Sequence, residues 1–266
     1  GSEKVWITLG SFTAFGAIGF IDDFIKVRRK NSDGLPAWAK LAMQGAVALG
    51  VALVLRRFAG EDITVLYAPF FKNPVVDLGD WWILFAVVFL VGESNAVNLT
   101  DGLDGLATGL LLLVFIALAI LTYITGRVDY SAYLGIPYIV DAGELTVFCL
   151  AAAGACVGFL WYNSHPAEVI MGDIGSLALG GVVATVSLMI KKEILTLIIG
   201  GVFVLEAASV IIQVASFKLR RKRVFKMAPL HHHFEQMGWA ETKVTIRLWI
   251  LGGLFAIIAL STLKIQ

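Results

Sequence analysis

Long apolar stretches alternate with short polar ones along the whole of this sequence. A membrane-spanning helix needs roughly 20 predominantly apolar residues, or about 17 when short. By that measure about eight runs qualify: residues 5–25, 38–55, 81–97, 106–124, 145–162, 176–190, 194–217 and 244–263. The pattern predicts an all-α fold, a polytopic transmembrane helical bundle. The weakest run is 176–190, where Gly180-Gly181 lowers helix propensity but suits close helix packing. Apolar segments 63–71 and 75–78 flank Asn73-Pro74, which predicts a short exposed hairpin between the second and third runs. With no internal repeat or low-complexity linker, residues 1–266 are read as a single integral-membrane domain.

Composition agrees with the pattern. The 266 residues are 58% hydrophobic and 15% charged, with a mean hydropathy of +0.83. Soluble domains lie near roughly 45–50% apolar and about 25% charged. The net charge of +1 gives no ground for a nucleic-acid partner. Cys149 and Cys156 share one apolar run without Cys-x-x-Cys spacing and read as small core residues. Gly1-Ser2 reads as a cloning remnant, and no cleavable signal peptide precedes the first run.

If each run crosses once, the loops after the first, third, fifth and seventh share a side. That side holds Lys26, Arg28, Arg29, Lys30, Lys40, the basic run 218–226 and Lys243. The other holds Lys4, Arg56, Arg57, Lys72, Arg127, Lys191, Lys192 and Lys264. The excess on the first side makes it cytoplasmic. Asp22-Asp23, the segment 98–104, the loop 163–173 and His231-His232-His233 then all fall on that face. Acids, amides and histidines gathered at one face of a helical bundle make an active-site candidate.

Each group has a plain reading beside the chemical one. An aspartate at a helix centre costs about 2.5–3.5 kcal/mol, less near the interface, so the Asp22-Asp23 pair needs a reason. Lys26, one turn on, can simply hold an interfacial helix end. The alternative is a phosphate and Mg²⁺ site, with the carboxylates binding metal or protons and the lysine meeting phosphate. A plain turn at 98–105 needs its glycines but not Asn98, Asp101 and Asp104 together. Asp173, between Gly172 and Gly175, reads as the N-cap of the following span, as a Mg²⁺ ligand that leaves positions open for phosphate oxygens, or as both. Pro229 can start a short helix that Gly238 ends, and Glu235 can orient His231 at i+4. Zinc competes for the histidines, yet no cysteine supports it. Gln213 is a packing amide or a substrate contact, and the sequence leaves both open. The residues alone thus give a Mg²⁺-dependent membrane enzyme acting on a phosphorylated substrate from the cytoplasm.

Taken together, Asp22-Asp23, 95–107, 163–176 and the run Ala228-Pro229-Leu230-His231-His232-His233-Phe234-Glu235 resemble the bacterial phospho-N-acetylmuramoyl-pentapeptide transferases. These belong to the polyprenyl-phosphate N-acetylhexosamine-1-phosphate transferases, and the histidine text is the part specific to this branch. The resemblance implies transfer of phospho-MurNAc-pentapeptide from UDP to undecaprenyl phosphate, giving lipid I and UMP at the inner membrane. It also implies residue roles. Asp173 holds Mg²⁺, Asp22 deprotonates or positions the lipid phosphate, and Asp23 lies beside it. Lys26 meets the diphosphate, and Asn98, Asp101, Asp104 and Asn163 meet nucleotide and phosphate. His231, His232 and His233, with His232 favoured, face the sugar–phosphate.

Two departures stand out. The family has two further N-terminal spans and a glycine-rich loop, so the chain reads as N-terminally incomplete. Ile170 stands where relatives often carry an aromatic that stacks on uracil. The competing readings are a sister enzyme using UDP-N-acetylglucosamine, against which the histidine text argues, and an ion or lipid transporter. Transporters usually bind near the midplane between repeats, and no repeat is visible here. Surrounding lipids are expected partners, and a homodimer is left open.

Overall fold

The computed structural model describes residues 2–30, 34–59, 61–71 and 73–264; Gly1 and Lys72 lie outside them. Eight helices among the described residues are long and apolar enough to cross a membrane. They are α1 (Glu3–Arg29), α2 (Ala37–Ala59), α3 (Trp82–Thr100), α4 (Leu106–Thr125), α6 (Ala142–Asn163), α7 (Gly172–Met189), α9 (Gly201–Arg220) and α11 (Glu241–Thr262). Three short helices join them: α5 (Val128–Leu134), α8 (Glu193–Ile199) and α10 (Leu230–Glu235). The expected hairpin is present but small. β1 (Val65–Leu66) pairs antiparallel with β2 (Val76–Asp77).

One span departs from expectation. The seventh apolar run is two helices, broken at Gly200, with Gly201 opening the second. Two adjacent glycines make the break inexpensive, and a Cβ at Gly201 would crowd the Phe255 ring at 2.7 Å.

The run that looked weakest, 176–190, forms the centre. Of α7's most apolar stretch 72% is buried inside the protein. It packs chiefly against α1 and α3. A Cβ at Gly180 would stand 2.8 Å from the Cα of Ser94, so the glycine permits the close α3–α7 approach. The polar groups on α7 are satisfied within the bundle. Ser94 donates to the Leu177 carbonyl at 3.0 Å, and Ser11 and Thr185 share a hydrogen bond at 2.8 Å. Cys149 and Cys156 are buried free thiols, as their apolar context predicted.

Candidate active site

The last turns of α1 carry Asp22, Asp23 and Lys26 to the N-terminus of α7, where Asp173 lies in the first turn. Gly19 makes this meeting possible, because a Cβ there would overlap the Asp173 carbonyl oxygen. Asp173 is not the helix N-cap that its sequence position suggested. Met171 precedes the helix and no side chain caps it. The Asp173 carboxylate, one position into the helix, instead sits in the favourable end of the α7 dipole.

Carboxylate oxygens of Asp22, Asp23 and Asp173 lie within 4.8 Å of one another. Two ammonium groups hold them together. Lys26 Nζ lies 2.6 Å from Asp22, 3.2 Å from Asp23 and 3.0 Å from Asp173. Lys40 Nζ, from the first turn of α2, lies 3.1 Å from Asp22 and 2.7 Å from Asp173. Asn98, near the end of α3, donates to Asp173 at 2.7 Å and to Ser176 Oγ at 2.9 Å. Backbone N–H groups complete the arrangement: Leu35 donates to Asp22 at 2.6 Å and Ile174 to Asp23 at 3.2 Å. Asp22 is only 1% exposed.

Three carboxylates against two ammonium groups leave one negative charge in a small, partly dry volume. These are hard oxygen donors with an amide beside them, the donor set that suits Mg²⁺ with open positions. Asp101 borders the cluster. Burial first, then the nearby charges of Asp173 and Asp23, push its carboxyl up to about 6.

Other expected residues serve neighbouring parts of the same end. Asp104 accepts the Ala167 N–H at 3.0 Å and faces His165 Nδ1 at 3.1 Å, and Glu241 joins them. Its carboxylate therefore faces the 165–167 loop. Asn163 is 4% exposed, accepts from Thr108 at 2.6 Å and donates to the Val169 carbonyl at 2.9 Å. Gln213 accepts the N–H groups of Val224 and Phe225 and donates to the Phe225 carbonyl, so it ties down the loop after α9. A cavity of about 590 Å³ opens beside it, with Phe217, Lys218, Arg223 and Lys226 in its walls. Ile170 is 78% exposed.

The histidines sit on α10 as expected, but their partners differ. Glu235 pairs with His232 at 2.6 Å, not with His231. His231 is fully buried against Glu206 of α9, at 3.1 Å from Nδ1. His233 Nδ1 accepts the Lys226 N–H at 3.1 Å. On a six-residue helix, adjacent rings fan outward, so one neighbour takes each.

Lys40 and Glu206 are the site residues that sequence reasoning missed. Lys40 carried no distinguishing signal, since a lysine one turn into a span is the ordinary interfacial anchor. Glu206 did carry one: a lone carboxylate inside an apolar run is a functional candidate by default.

Comparison with known proteins fits this geometry. Residues 5–191 match glycosyl transferase family 4. The phospho-N-acetylmuramoyl-pentapeptide-transferases of Rickettsia felis and Rickettsia akari are each 51% identical over 266 residues, covering all of this chain and 74% of theirs. The enzyme of that name from Koribacter versatilis is also 51% identical, over 282 aligned positions. The chain belongs to the phospho-N-acetylmuramoyl-pentapeptide-transferase family, within glycosyl transferase family 4.

Proposed function

We propose that this multi-pass membrane enzyme moves phospho-MurNAc-pentapeptide from its UDP carrier to undecaprenyl phosphate, releasing UMP and forming lipid I. The observation that carries the reading is the Asp22–Asp23–Asp173 cluster, bridged by Lys26 and Lys40, at the end facing the cytoplasm by the positive-inside rule. One substrate is dissolved in the membrane and the other in the cytosol, so chemistry at helix ends is what the two require.

In the direct route we favour, an oxygen of the lipid phosphate attacks the sugar-bearing phosphorus of the nucleotide. A new P–O bond forms, the bond to UMP breaks, and UMP leaves with the electron pair. Asp22 orients the incoming lipid phosphate and takes its proton where one is present. Lys26, within reach of all three carboxylates, and Lys40, within reach of Asp22 and Asp173, turn toward the diphosphate and offset its charge. Asp173, with Asp23 beside it, would hold Mg²⁺. When bound, that ion supplies the charge neutralisation that lets one anion approach another. Asn98 fixes the Asp173 carboxylate, and Asp101 faces the nucleotide. His232 reaches the sugar–phosphate with Glu235 behind it. Asp104, Asn163 and Gln213 act through the loops they hold.

The test is UMP release in detergent with undecaprenyl phosphate, Mg²⁺ and either UDP-MurNAc-pentapeptide or UDP-N-acetylglucosamine. Release with the first substrate alone is expected. Silence with it, or equal release with the second, would overturn the assignment. Isolation of a phospho-sugar bound to any aspartate would replace direct displacement with a two-step route.

A further inference from the structure

Glu206 and His231 are both fully buried, and each keeps one polar atom without a partner: Glu206 Oε1 and His231 Nε2. Glu206 belongs to the buried face of α9 with Val202 and Ser209, at helical spacing, where an apolar side chain would be the cheaper occupant. A buried carboxylate with an orphan oxygen costs folding free energy, and replacing such a pair by apolar groups is often neutral or stabilising. Packing alone therefore does not account for it.

The geometry around the pair shows what it does instead. Glu206 Oε2 accepts the backbone N–H of His231 at 3.3 Å and faces ring Nδ1 at 3.1 Å. A carboxylate oxygen that already accepts the backbone N–H favours the tautomer with the ring proton on Nδ1, which leaves Nε2 as the free edge. That edge is pressed against Gly102, where a Cβ would overlap Nε2. Gly102 follows Asp101 directly and lies in the turn that joins α3 to α4. The line Glu206–His231–Gly102 thus runs from the interior of α9, through α10, to the turn that presents Asp101 to the acidic cluster.

We infer that Glu206 is a positioning residue for the transfer reaction: it holds His231 by Nδ1, so that the imidazole fixes the Asp101–Gly102 turn against the Asp173 site. The inference rests on the transferase reading above. Its effect falls on the chemical step, because the turn's placement, and not the first encounter with either substrate, is what the imidazole sets.

The experiment compares Glu206→Met, Glu206→Gln and Gly102→Ala in the full-length enzyme, assayed for UMP release at saturating Mg²⁺, with thermal unfolding in parallel. Glu206→Met leaves the buried His231 N–H groups without their acceptor, so it should still fold but melt a few degrees below wild type. Its kcat should fall about 100-fold, the order of loss for a misplacement near 1 Å, while the KM for undecaprenyl phosphate stays close to wild type. Glu206→Gln keeps an acceptor for Nδ1–H and should recover most of that loss. Gly102→Ala should lower kcat similarly, and the double variant with Glu206→Met should be no worse than either single one, because both break the same line.

Wild-type kcat in Glu206→Met, equal losses in the Met and Gln variants, or losses that multiply in the double variant would each overturn the inference. Should Glu206→Met not fold, Glu206→Asp takes its place. That carboxylate is one methylene short of Nδ1, and kcat equal to that of Glu206→Gln would refute the claim. Selective ¹⁵N labelling of His231 supplies a readout apart from turnover. The proton should reside on Nδ1 in the wild type and lose that preference in Glu206→Met. A wild-type enzyme that releases no UMP would sink the transferase reading, and the ¹⁵N result would still decide the Glu206–His231 assignment.

Discussion

Replacing Asp101 by asparagine should stabilise the protein and weaken the enzyme at the same time. Unlike Asp22, Asp23 and Asp173, Asp101 has no ammonium group at ion-pair distance among the described residues. Burial and two neighbouring carboxylates push its carboxyl from 3.8 up to about 6. At 1.36 kcal/mol per pKa unit, holding it ionised costs roughly 3 kcal/mol, and solvent at its partly exposed edge trims this to about 2 kcal/mol. For an acid raised on folding, stability is greatest below the unfolded value and is lost as pH climbs to the folded one. The cost is therefore absent near pH 4 and complete above pH 6. Asparagine removes the charge and keeps an oxygen for the Gly172 N–H. Thermal unfolding in detergent without Mg²⁺ should show Asp101→Asn melting about 4–8 °C above wild type at pH 7.5, with the gap closing toward pH 4.5. Turnover should fall about 10- to 100-fold, the worth of one charged contact. A gap of the same size at both pH values, or none at pH 7.5, would refute the reasoning.

Four further outcomes are expected. Asp173→Asn should abolish UMP release, and near-normal turnover would remove Asp173 as the metal ligand. Lys40→Gln leaves the cluster more negative, so half-maximal UMP release should need less Mg²⁺ while kcat drops; an unchanged Mg²⁺ requirement would show that Lys40 is not a resident counter-ion. Gly19→Ala must part α1 from the start of α7, at a cost of about 1–3 kcal/mol, and melting unchanged from wild type would contradict the close crossing. Glu193 is fully buried with both carboxylate oxygens unpartnered, and burial pushes it up to about 8. Wild-type stability should therefore decline as pH rises from about 4.5 to 8, and Glu193→Gln should flatten the part above pH 6, beyond the range in which Asp101 contributes. Lys192, pushed down to about 8 by burial, acts only above that window, so the two do not overlap.

Much of this arrangement is legible in the linear sequence, and the exceptions have physical causes. Spans follow from apolar length alone, and alternation of sides is enough to bring Asp22, Asn98 and Asp173 to one end. Direction within a turn is not legible. Asp101 and Asp104 are three residues apart, yet one faces Gly172 and the other His165, because the tight turn between α3 and α4 splays them. Partner choice over long range is equally hidden. Glu235 is the near candidate for His231, but a fixed short helix gives it to His232 and leaves His231 to Glu206, 25 residues away. The break at Gly200-Gly201 is not legible either, because a glycine pair also occurs in intact membrane helices, as Gly180-Gly181 does in α7.

The burial of α7 bears on how the chain is made. A helix that lipid scarcely touches gains little from entering the bilayer alone, and α7 carries Thr185, Ser187 and two glycines toward protein, not lipid. Its principal neighbours, α1 and α3, both precede it in the chain. Both partners are therefore synthesised before α7, and their facing sides make the surface that α7 covers. Chain order thus matches packing order, since Asp22, Asp23, Lys26, Lys40 and Asn98, the partners that surround Asp173, all precede it.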